Sequence, residues 1–275
     1  MKKYVIGLDI GSSTTKVVVL DDLKDVVARR QVSASDPLES IFGGEEGLLH
    51  ECGISQSDVK QLVLTGAGGS FLGENILGIP TRRVTEFEGA GAGARYLTGL
   101  EEFIVASIGT GTAIIRVDKA GARHVGGVAL GGGTFTGLCK RLFGFTDIRR
   151  IEKMAEMGDL VRVDLGMNEI TRTQISNLPD YATASNLGKM LDTATDEDVA
   201  LGLLNMIYQN SATLAIFAAR NCGYGDIVMT GSLSSLSVAK ELLGRVGELY
   251  GVNLIVPENA GFVTALGAAL IGLDD

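Results

Sequence analysis

Residues 4–20 read YVIGLDIGSSTTKVVVL, and this stretch decides how the rest of the chain is interpreted. Two apolar runs rich in β-branched residues flank a short polar turn, which is typical of two antiparallel strands. Asp9 ends the first run and can hold a hydrated Mg²⁺, while small residues of the turn can cradle a polyphosphate. The turn residues are Gly11, Ser12, Ser13, Thr14, Thr15 and Lys16. An ordinary hairpin with a polar turn is the alternative interpretation.

The same design occurs a second time at residues 103–118, FIVASIGTGTAIIRVD. Its turn contains Ser107, Gly109, Thr110, Gly111 and Thr112. Two matching hairpins in one chain predict two similar lobes that face one nucleotide.

Two further glycine-containing turns follow the second hairpin. Gly131, Gly132, Gly133 and Thr134 lead into an apolar helix, whose first N–H groups are expected to be available for phosphate. The buried strand DIVMT at residues 226–230 ends in Gly231 and Ser232. The triple-glycine turn is therefore a candidate nucleotide contact.

Two acidic residues precede the small-residue run GAGAGARYL of residues 89–97. This run predicts a closely packed helix, so Glu86 and Glu88 lie at or just before its N-terminus. Glu86 is the candidate general base for a reaction at a hydroxyl compound, because such an acceptor would need a group that takes its proton. The alternative is that these acids only stabilise the positive end of the helix dipole.

Charge and cysteine usage exclude several classes of protein. A net charge of −9 and a pI near 4.9 argue against a nucleic-acid partner. Cys52, Cys139 and Cys222 are odd in number and far apart, so they predict neither a disulfide framework nor a metal cluster. The N-terminal residues lack a signal-peptide pattern, and the chain lacks a charge-free apolar run of about 20 residues. We therefore expect a cytoplasmic protein without a membrane partner.

With both hairpins in view, the chain resembles the superfamily of acetate and sugar kinases, Hsc70 chaperones and actin. The resemblance implies an α/β fold of two ribonuclease-H-like lobes with a nucleotide cleft between them. The repeat places the lobe boundary near residue 98. Residues 1–98 then carry the first phosphate hairpin and the candidate base. Residues 99–275 carry the second hairpin, the adenosine site at Gly231 and Ser232, and a dimer helix.

A closer resemblance, to the type II pantothenate kinases, covers nearly the whole chain in order. The motifs are DIGSSTTK (9–16), TGAGG (65–69), EFEGA (86–90), SIGTGT (107–112), VGGVALGGGTFTGL (125–138), MTGS (229–232) and ENAGFVTALGA (258–268). This resemblance implies a homodimer that uses ATP and Mg²⁺ to phosphorylate the primary hydroxyl of pantothenate. It also implies substrate contacts from Thr110, Thr112, Arg123 and His124.

Two positions depart from the pattern of that family. His124 stands where these kinases have an arginine before VGG, with Arg123 one place earlier, and Ala113 stands where a serine commonly follows GTGT. In the resembling kinases, that arginine and that serine help to hold pantothenate. Their replacement here leaves a related hydroxyl compound as an alternative acceptor. Two other functions are also open: another superfamily member, such as an N-acetylhexosamine kinase or an activator ATPase, and a non-catalytic nucleotide-binding protein.

The segment 196–222 predicts one long helix with Thr195 as its N-cap. Apolar residues cover most of its circumference, more than one sheet would bury, which predicts a dimer contact. The alternative is that residues 146–191 fold over this helix within one chain.

Overall fold

A computed structural model describes residues 4–11, 14–33, 37–43, 47–68, 73–171, 179 and 181–274. The strands are β1 Tyr4–Ile10, β2 Thr14–Leu20, β3 Val26–Ser33, β4 Val59–Thr65, β5 Asn75–Ile76, β6 Ile79–Arg83, β7 Phe103–Ile108, β8 Thr112–Asp118, β9 Gly121–Val128, β10 Leu165–Gly166, β11 Thr183–Ser185, β12 Asp226–Thr230 and β13 Asn253–Ile255. The helices are α1 Pro37–Phe42, α2 Leu48–Glu51, α3 Glu86–Thr98, α4 Gly132–Phe143, α5 Ile148–Ala155, α6 Met167–Ile170, α7 Asp196–Cys222, α8 Ala239–Tyr250 and α9 Val263–Leu273.

The first hairpin forms as predicted and lies in the middle of a six-stranded sheet. The strand order is β3-β2-β1-β4-β6-β5, with β1 antiparallel to β2 and parallel to β4. The register sets Asp9 opposite Lys16 on β2 and opposite Thr65 on β4. Because paired residues share a face of a sheet, these three side chains lie on one side of it.

That side of the sheet is covered by the C-terminal helix α9. Val5, Val18 and Val63 form one apolar core with residues of α9. Helix α3 packs on α9 in turn, and the contact is between backbones. A Cβ at Gly267 would overlap the Gly89 carbonyl oxygen and lie 2.5 Å from the Gly93 nitrogen. The small-residue run of α3 therefore allows two helices to touch, as the sequence predicted.

Replacing Gly267 with alanine is expected to destabilise the protein by about 3 kcal/mol or more, because overpacked cores resist added atoms. Gly244 in α8 is the matched control, since a Cβ there meets no atom within 4 Å. The Gly244→Ala variant should gain about 0.5–1 kcal/mol from helix propensity. Denaturant melts of both variants provide the measurement, and a stable Gly267→Ala protein would contradict the close crossing.

The second sheet has the strand order β13-β12-β7-β8-β9. Helix α7 begins after Thr195, whose hydroxyl accepts a hydrogen bond from the Asp198 N–H, so the predicted N-cap is confirmed. The helix packs against α4, α5, α8 and the turn Leu160–Arg162.

This packing corrects the argument for a dimer surface on α7. Leu201, Leu204, Ile207 and Ile216 are buried within the chain. The segment after α4 covers the helix, as the alternative interpretation held. In the second half of α7, the large apolar residue Phe217 is 54% exposed. An excess of apolar surface on α7 therefore does not support a dimer.

Helix α7 is, among the described residues, the one helix long and apolar enough to cross a membrane. Of its most apolar window, 61% is buried inside the protein. Core helices pass the same test of length and composition, and this burial is typical of them.

The chain divides into two compact units that differ from the predicted boundary near residue 98. Unit 1 comprises Met1–Val105, Ile115–Val125 and Pro257–Asp275, and unit 2 comprises Ala106–Ile114 and Gly126–Val256. The chain crosses between them within β7, β8 and β9. The last residues group with unit 1 because α9 covers the sheet that contains β1.

Candidate active site

The end of the first hairpin carries a carboxylate and an ammonium group on neighbouring strands. Asp9 is half-buried, and Lys16 opposite it is only 9% exposed. Burial raises the pKa of Asp9 above that of a free aspartate, and the Lys16 charge opposes this rise.

No salt bridge links Lys16 to any of the residues that the structure describes. Lys16 interacts with Asp9 and Glu86 as a charge at longer range. A cation that is removed from water without a close counter-ion is costly. An anionic ligand would supply that counter-ion.

The turn of this hairpin is partly closed by its own backbone. The Gly11 N–H donates to the Thr14 carbonyl over 3.0 Å, so this N–H is occupied within the turn. Ser12 and Ser13, which the sequence also placed at the phosphate site, lie outside the described residues.

Glu86 is the first residue of α3, and the structure separates its role from that of Glu88. Glu88 forms a capping box with Thr85: its carboxylate accepts from the Thr85 N–H over 2.7 Å, and its N–H donates to the Thr85 hydroxyl over 3.2 Å. The hydrogen bonding of Thr85 to the Glu88 carboxylate lowers the pKa of that carboxyl. The capping interpretation therefore applies to Glu88 and leaves the carboxyl of Glu86 available.

Glu86, Asp9 and Lys16 form one electrostatic cluster within unit 1. The Glu86 side chain is exposed, yet the surrounding protein removes enough water to raise the pKa of its carboxyl. The Asp9 carboxylate raises this pKa further, and the Lys16 ammonium lowers it. A carboxylate with a raised pKa is a better proton acceptor, which suits a general base.

His124 contacts the residue after Glu86: its ring stacks on Phe87 with centroids 4.9 Å apart and an interplanar angle of 21°. Phe87 directly follows Glu86. Ala122 in the same strand packs at Gly91 of α3, so alternation places His124 on the α3 side of β9. Arg123 is exposed and points to the other side of the strand. A small backbone shift would not bring Arg123 to the position of His124.

In unit 2, the triple-glycine turn packs directly on the second hairpin. The Gly132 N–H donates to the Gly109 carbonyl over 2.7 Å, and the Gly133 N–H donates to the Thr110 carbonyl over 2.9 Å. A Cβ at Gly131 would lie 2.7 Å from the backbone of Gly111. Glycine is thus required here by close approach of two turns.

These hydrogen bonds correct one expectation about the helix N-terminus. The first two N–H groups of α4 bind carbonyl oxygens of the hairpin and are not open to phosphate. The Thr134 hydroxyl likewise donates to the Ala129 carbonyl over 3.1 Å. The glycines of this turn therefore shape the hairpin and bring it close to α4.

The side chain of Thr112, which was predicted to contact the substrate, is buried and hydrogen-bonded within the protein. Its side chain is 4% exposed, and its hydroxyl donates to the Leu130 carbonyl over 2.8 Å. The Ser211 hydroxyl of α7 lies 2.9 Å from Thr112 Oγ1. Because the Thr112 proton is already donated to Leu130, Ser211 is the donor in this second bond. Thr112 thus links the start of β8 to α7, and a direct substrate contact through this hydroxyl is not supported.

The remaining predicted residues of unit 2 lie around the same hairpin. Ser107 is buried in β7, Thr110 is exposed at the turn, and Ser232 is half-buried. Gly231 has φ of 93°, and a Cβ there would overlap the Ile108 carbonyl at the end of β7. The turn after β12 therefore lies against the second hairpin.

Two residues of the site were not singled out from the sequence. Phe87 was quoted only as part of the motif at residues 86–90, and its stacking on His124 joins segments that are distant in sequence. Thr65 ends β4 beside Asp9, and its buried hydroxyl has no hydrogen-bond partner among the described residues. The sequence pattern that could have identified Thr65 is a hydroxyl residue at the end of a β-strand, directly before a glycine.

Residues 85–270, more than half of the chain, match the Fumble family model. Residues 6–160 match the model of the BadF/BadG/BcrA/BcrD ATPase family. A type II pantothenate kinase of Staphylococcus aureus strain MRSA252 is 29% identical over 277 residues, which covers 97% of this chain and 99% of the relative. The relative of the same name in strain USA300 is 29% identical and covers 96% of this chain and 97% of its own.

Solved structures show the fold. The activator of the 2-hydroxyisocaproyl-CoA dehydratase from Clostridium difficile, with bound ADPNP, has a TM-score of 0.68 at 20% identity and covers 100% of this chain and 95% of its own. A ROK family glucokinase from Streptomyces griseus, in complex with glucose and AMPPNP, has a TM-score of 0.64 at 13% identity, with 98% of each chain covered. The predicted α/β fold class is confirmed, and the chain belongs to the Fumble family.

Proposed function

We propose that this protein is an ATP- and Mg²⁺-dependent kinase that phosphorylates the primary hydroxyl of pantothenate or a close analogue, in coenzyme A biosynthesis in the cytoplasm. One observation carries the proposal. Glu86, Asp9 and Lys16 form a single electrostatic cluster in a chain of the Fumble family. Such a cluster combines a proton acceptor, a metal-binding carboxylate and a cation for phosphate.

Each residue of the cluster has a distinct role in the proposed reaction. Glu86 takes the proton of the acceptor hydroxyl as its oxygen bonds to the terminal phosphorus of ATP, and the bond to ADP breaks. Lys16 neutralises phosphate charge, which phosphoryl transfer requires more than covalent chemistry. Asp9 fits Mg²⁺, because this ion is usually held by one or two carboxylates together with waters and phosphates. The ion supplies charge neutralisation at the phosphates.

The nucleotide is proposed to contact the glycine-rich turns of both hairpins. From the first hairpin these residues are Gly11, Ser12, Ser13 and Thr14. From unit 2 they are Ser107, Gly109, Thr110, Gly111, Gly131, Thr134, Gly231 and Ser232, whereas Gly132 and Gly133 hold the second hairpin through the hydrogen bonds described above. The close packing of the unit 2 turns on one another supports a rigid frame for a bound polyphosphate.

The acceptor is proposed to lie near His124, whose ring stacks on Phe87, the residue after the proposed base. An imidazole replaces the arginine of the resembling kinases at this position, so recognition of the pantothenate carboxylate differs in this chain. Thr110 is exposed and fits a substrate contact, whereas Arg123 faces away from α3.

An acceptor screen tests this function. Phosphate transfer from ATP is measured against pantothenate, pantetheine and N-acetylhexosamines, with and without Mg²⁺. Transfer to pantothenate or pantetheine that depends on Mg²⁺ is the expected result. Transfer to hexosamines alone would identify a sugar kinase of the same fold, and binding of ATP without transfer to any acceptor would indicate a non-catalytic protein.

A homodimer is also proposed, on a surface other than the core of α7. Several large apolar residues in the sequence from the end of α4 to the loop before α7 are exposed. They are Leu142, Met157, Val161, Ile170, Tyr181, Met190 and Leu191, each 41–69% exposed. Exposed apolar surface of this kind is typical of a partner contact.

Light scattering at micromolar concentration is expected to give close to twice the chain mass of 28.8 kDa. The double variant Met157→Glu with Val161→Glu should shift the protein to the monomer mass, because charges are costly in a buried contact. Leu23, which is 70% exposed in unit 1, is the control position, and Leu23→Glu should leave the mass unchanged. A monomer at this concentration would contradict the proposal.

A further inference from the structure

The hydroxyl of Thr65 is buried without a hydrogen-bond partner in the described part of the chain. The residue is 3% exposed, and its Oγ1 makes no hydrogen bond to any residue that the structure describes. An unpaired buried hydroxyl is destabilising, and a role in a catalytic or ion-binding site is one of the recognised reasons why native proteins keep such a group. Valine would fill the same space without that cost.

The position of Thr65 indicates which group that partner is. Thr65 pairs in register with Asp9 on the neighbouring parallel strand, so both side chains are on the face that also carries Lys16. The chain then turns sharply at Gly66, which has φ of 83°. A Cβ at Gly66 would lie 2.9 Å from Asp9 Oδ1, so the backbone after Thr65 passes beside this carboxylate.

Thr15 provides an internal comparison. Its Oγ1 is also buried and unpaired within the described residues. However, Thr15 pairs with Ile10, which belongs to the apolar core on the opposite face of the sheet. The two threonines therefore share burial and an unpaired hydroxyl, and only Thr65 shares the face of Asp9.

We propose that Thr65 is a positioning residue for Asp9. In the nucleotide-loaded state its hydroxyl donates a hydrogen bond to the Asp9 carboxylate and holds it in the orientation that binds hydrated Mg²⁺. A side-chain rotation closes the gap between the two groups. Carboxylates at metal sites are usually oriented by such second hydrogen bonds, whose loss weakens metal affinity by about 10–100-fold. This inference rests on the proposed role of Asp9.

The test compares Thr65→Val, Thr65→Ser and Thr15→Val by calorimetry of ADP binding over a series of Mg²⁺ concentrations. Thr65→Val should raise the Mg²⁺ concentration needed for half-maximal ADP affinity by about tenfold. Thr65→Ser keeps the hydroxyl and should stay near the wild-type value, and Thr15→Val should match wild type. Without ligands, both valine variants should melt at the wild-type temperature or above it, because neither loses a hydrogen bond.

Two outcomes overturn the inference. An unchanged Mg²⁺ requirement in Thr65→Val would show that the hydroxyl does not support the carboxylate, and an equal change in Thr15→Val would assign the effect to general destabilisation. Asp9→Asn separates this failure from failure of the proposed function. If Asp9→Asn loses the Mg²⁺ dependence and Thr65→Val keeps it, only the role of Thr65 is wrong. If both variants keep it, the assignment of Asp9 itself is wrong.

Discussion

Replacing Asp9 with asparagine is expected to abolish turnover while the protein stays folded. The amide has the same shape, but it has no negative charge with which to hold a hydrated Mg²⁺. Folding is not expected to suffer, because burial already disfavours the charged form of Asp9. Removing the buried charge of Asp9 stabilises the folded protein, and the loss of its attraction to Lys16 partly offsets this stabilisation.

The measurement is the rate of phosphate transfer as a function of Mg²⁺ concentration. Asp22, exposed in the turn between β2 and β3, is the control position, and Asp22→Asn should keep wild-type activity. Thermal melts establish that both variants are folded. Unchanged Mg²⁺-dependent activity in Asp9→Asn would exclude a metal-binding role for this carboxylate.

The pH dependence of stability gives an independent check on Asp9. A carboxyl whose pKa is raised by folding binds its proton more tightly in the folded state. Its contribution to the free energy of unfolding is fully present below its unfolded pKa and is lost as pH rises through its folded pKa. The Asp9→Asn variant lacks this contribution, so its melting temperature should fall less across that window.

The Glu86→Gln variant should lower kcat by about 10²-fold or more, because the acceptor hydroxyl loses its proton acceptor. Affinity for ATP should change little, since the proposed phosphate contacts come from other residues. Glu88→Ala is the matched control on the same helix turn. It removes half of the capping box and should cost about 1 kcal/mol of stability with little loss of kcat.

The same experiment has a pH signature. A general base must be deprotonated, so kcat/KM, which reports the pKa values of the free enzyme, should fall as pH is lowered through the pKa of Glu86. Burial and Asp9 raise that pKa, so the fall should occur at higher pH than for a free glutamate. The residual activity of Glu86→Gln should lack this step. Normal turnover in Glu86→Gln would instead make Glu86 a second acid of the helix N-terminus.

Local patterns predicted the parts of the structure that depend on neighbours in sequence. Both hairpins form where the alternation of apolar and polar runs placed them, and α7 begins at the predicted Thr195 cap. Glu86 was also placed correctly at the start of a helix. In each case a short stretch contains the apolar period, the turn residues and the cap that determine the element.

Contacts between distant segments were not predictable in the same way. The sequence of α7 indicates that its apolar surface needs cover, but not whether another chain or residues 146–191 supply it. Thr112 has the residue type of a substrate contact, and only packing shows that Leu130 and Ser211 engage its hydroxyl. The lobe boundary failed to match the compact units for the same reason, because α9 returns to the first sheet.

The cover that α9 provides for the first sheet has a consequence for synthesis on the ribosome. Strands β1, β2 and β4 are made early, whereas residues 263–273, which bury Val5, Val18 and Val63, are made only after the whole of unit 2. During elongation this apolar face stays open to water, and such exposed surface favours aggregation. This face is therefore expected to stay exposed until α9 emerges from the ribosome, and Glu86 on α3, which packs on α9, reaches its final place only afterwards.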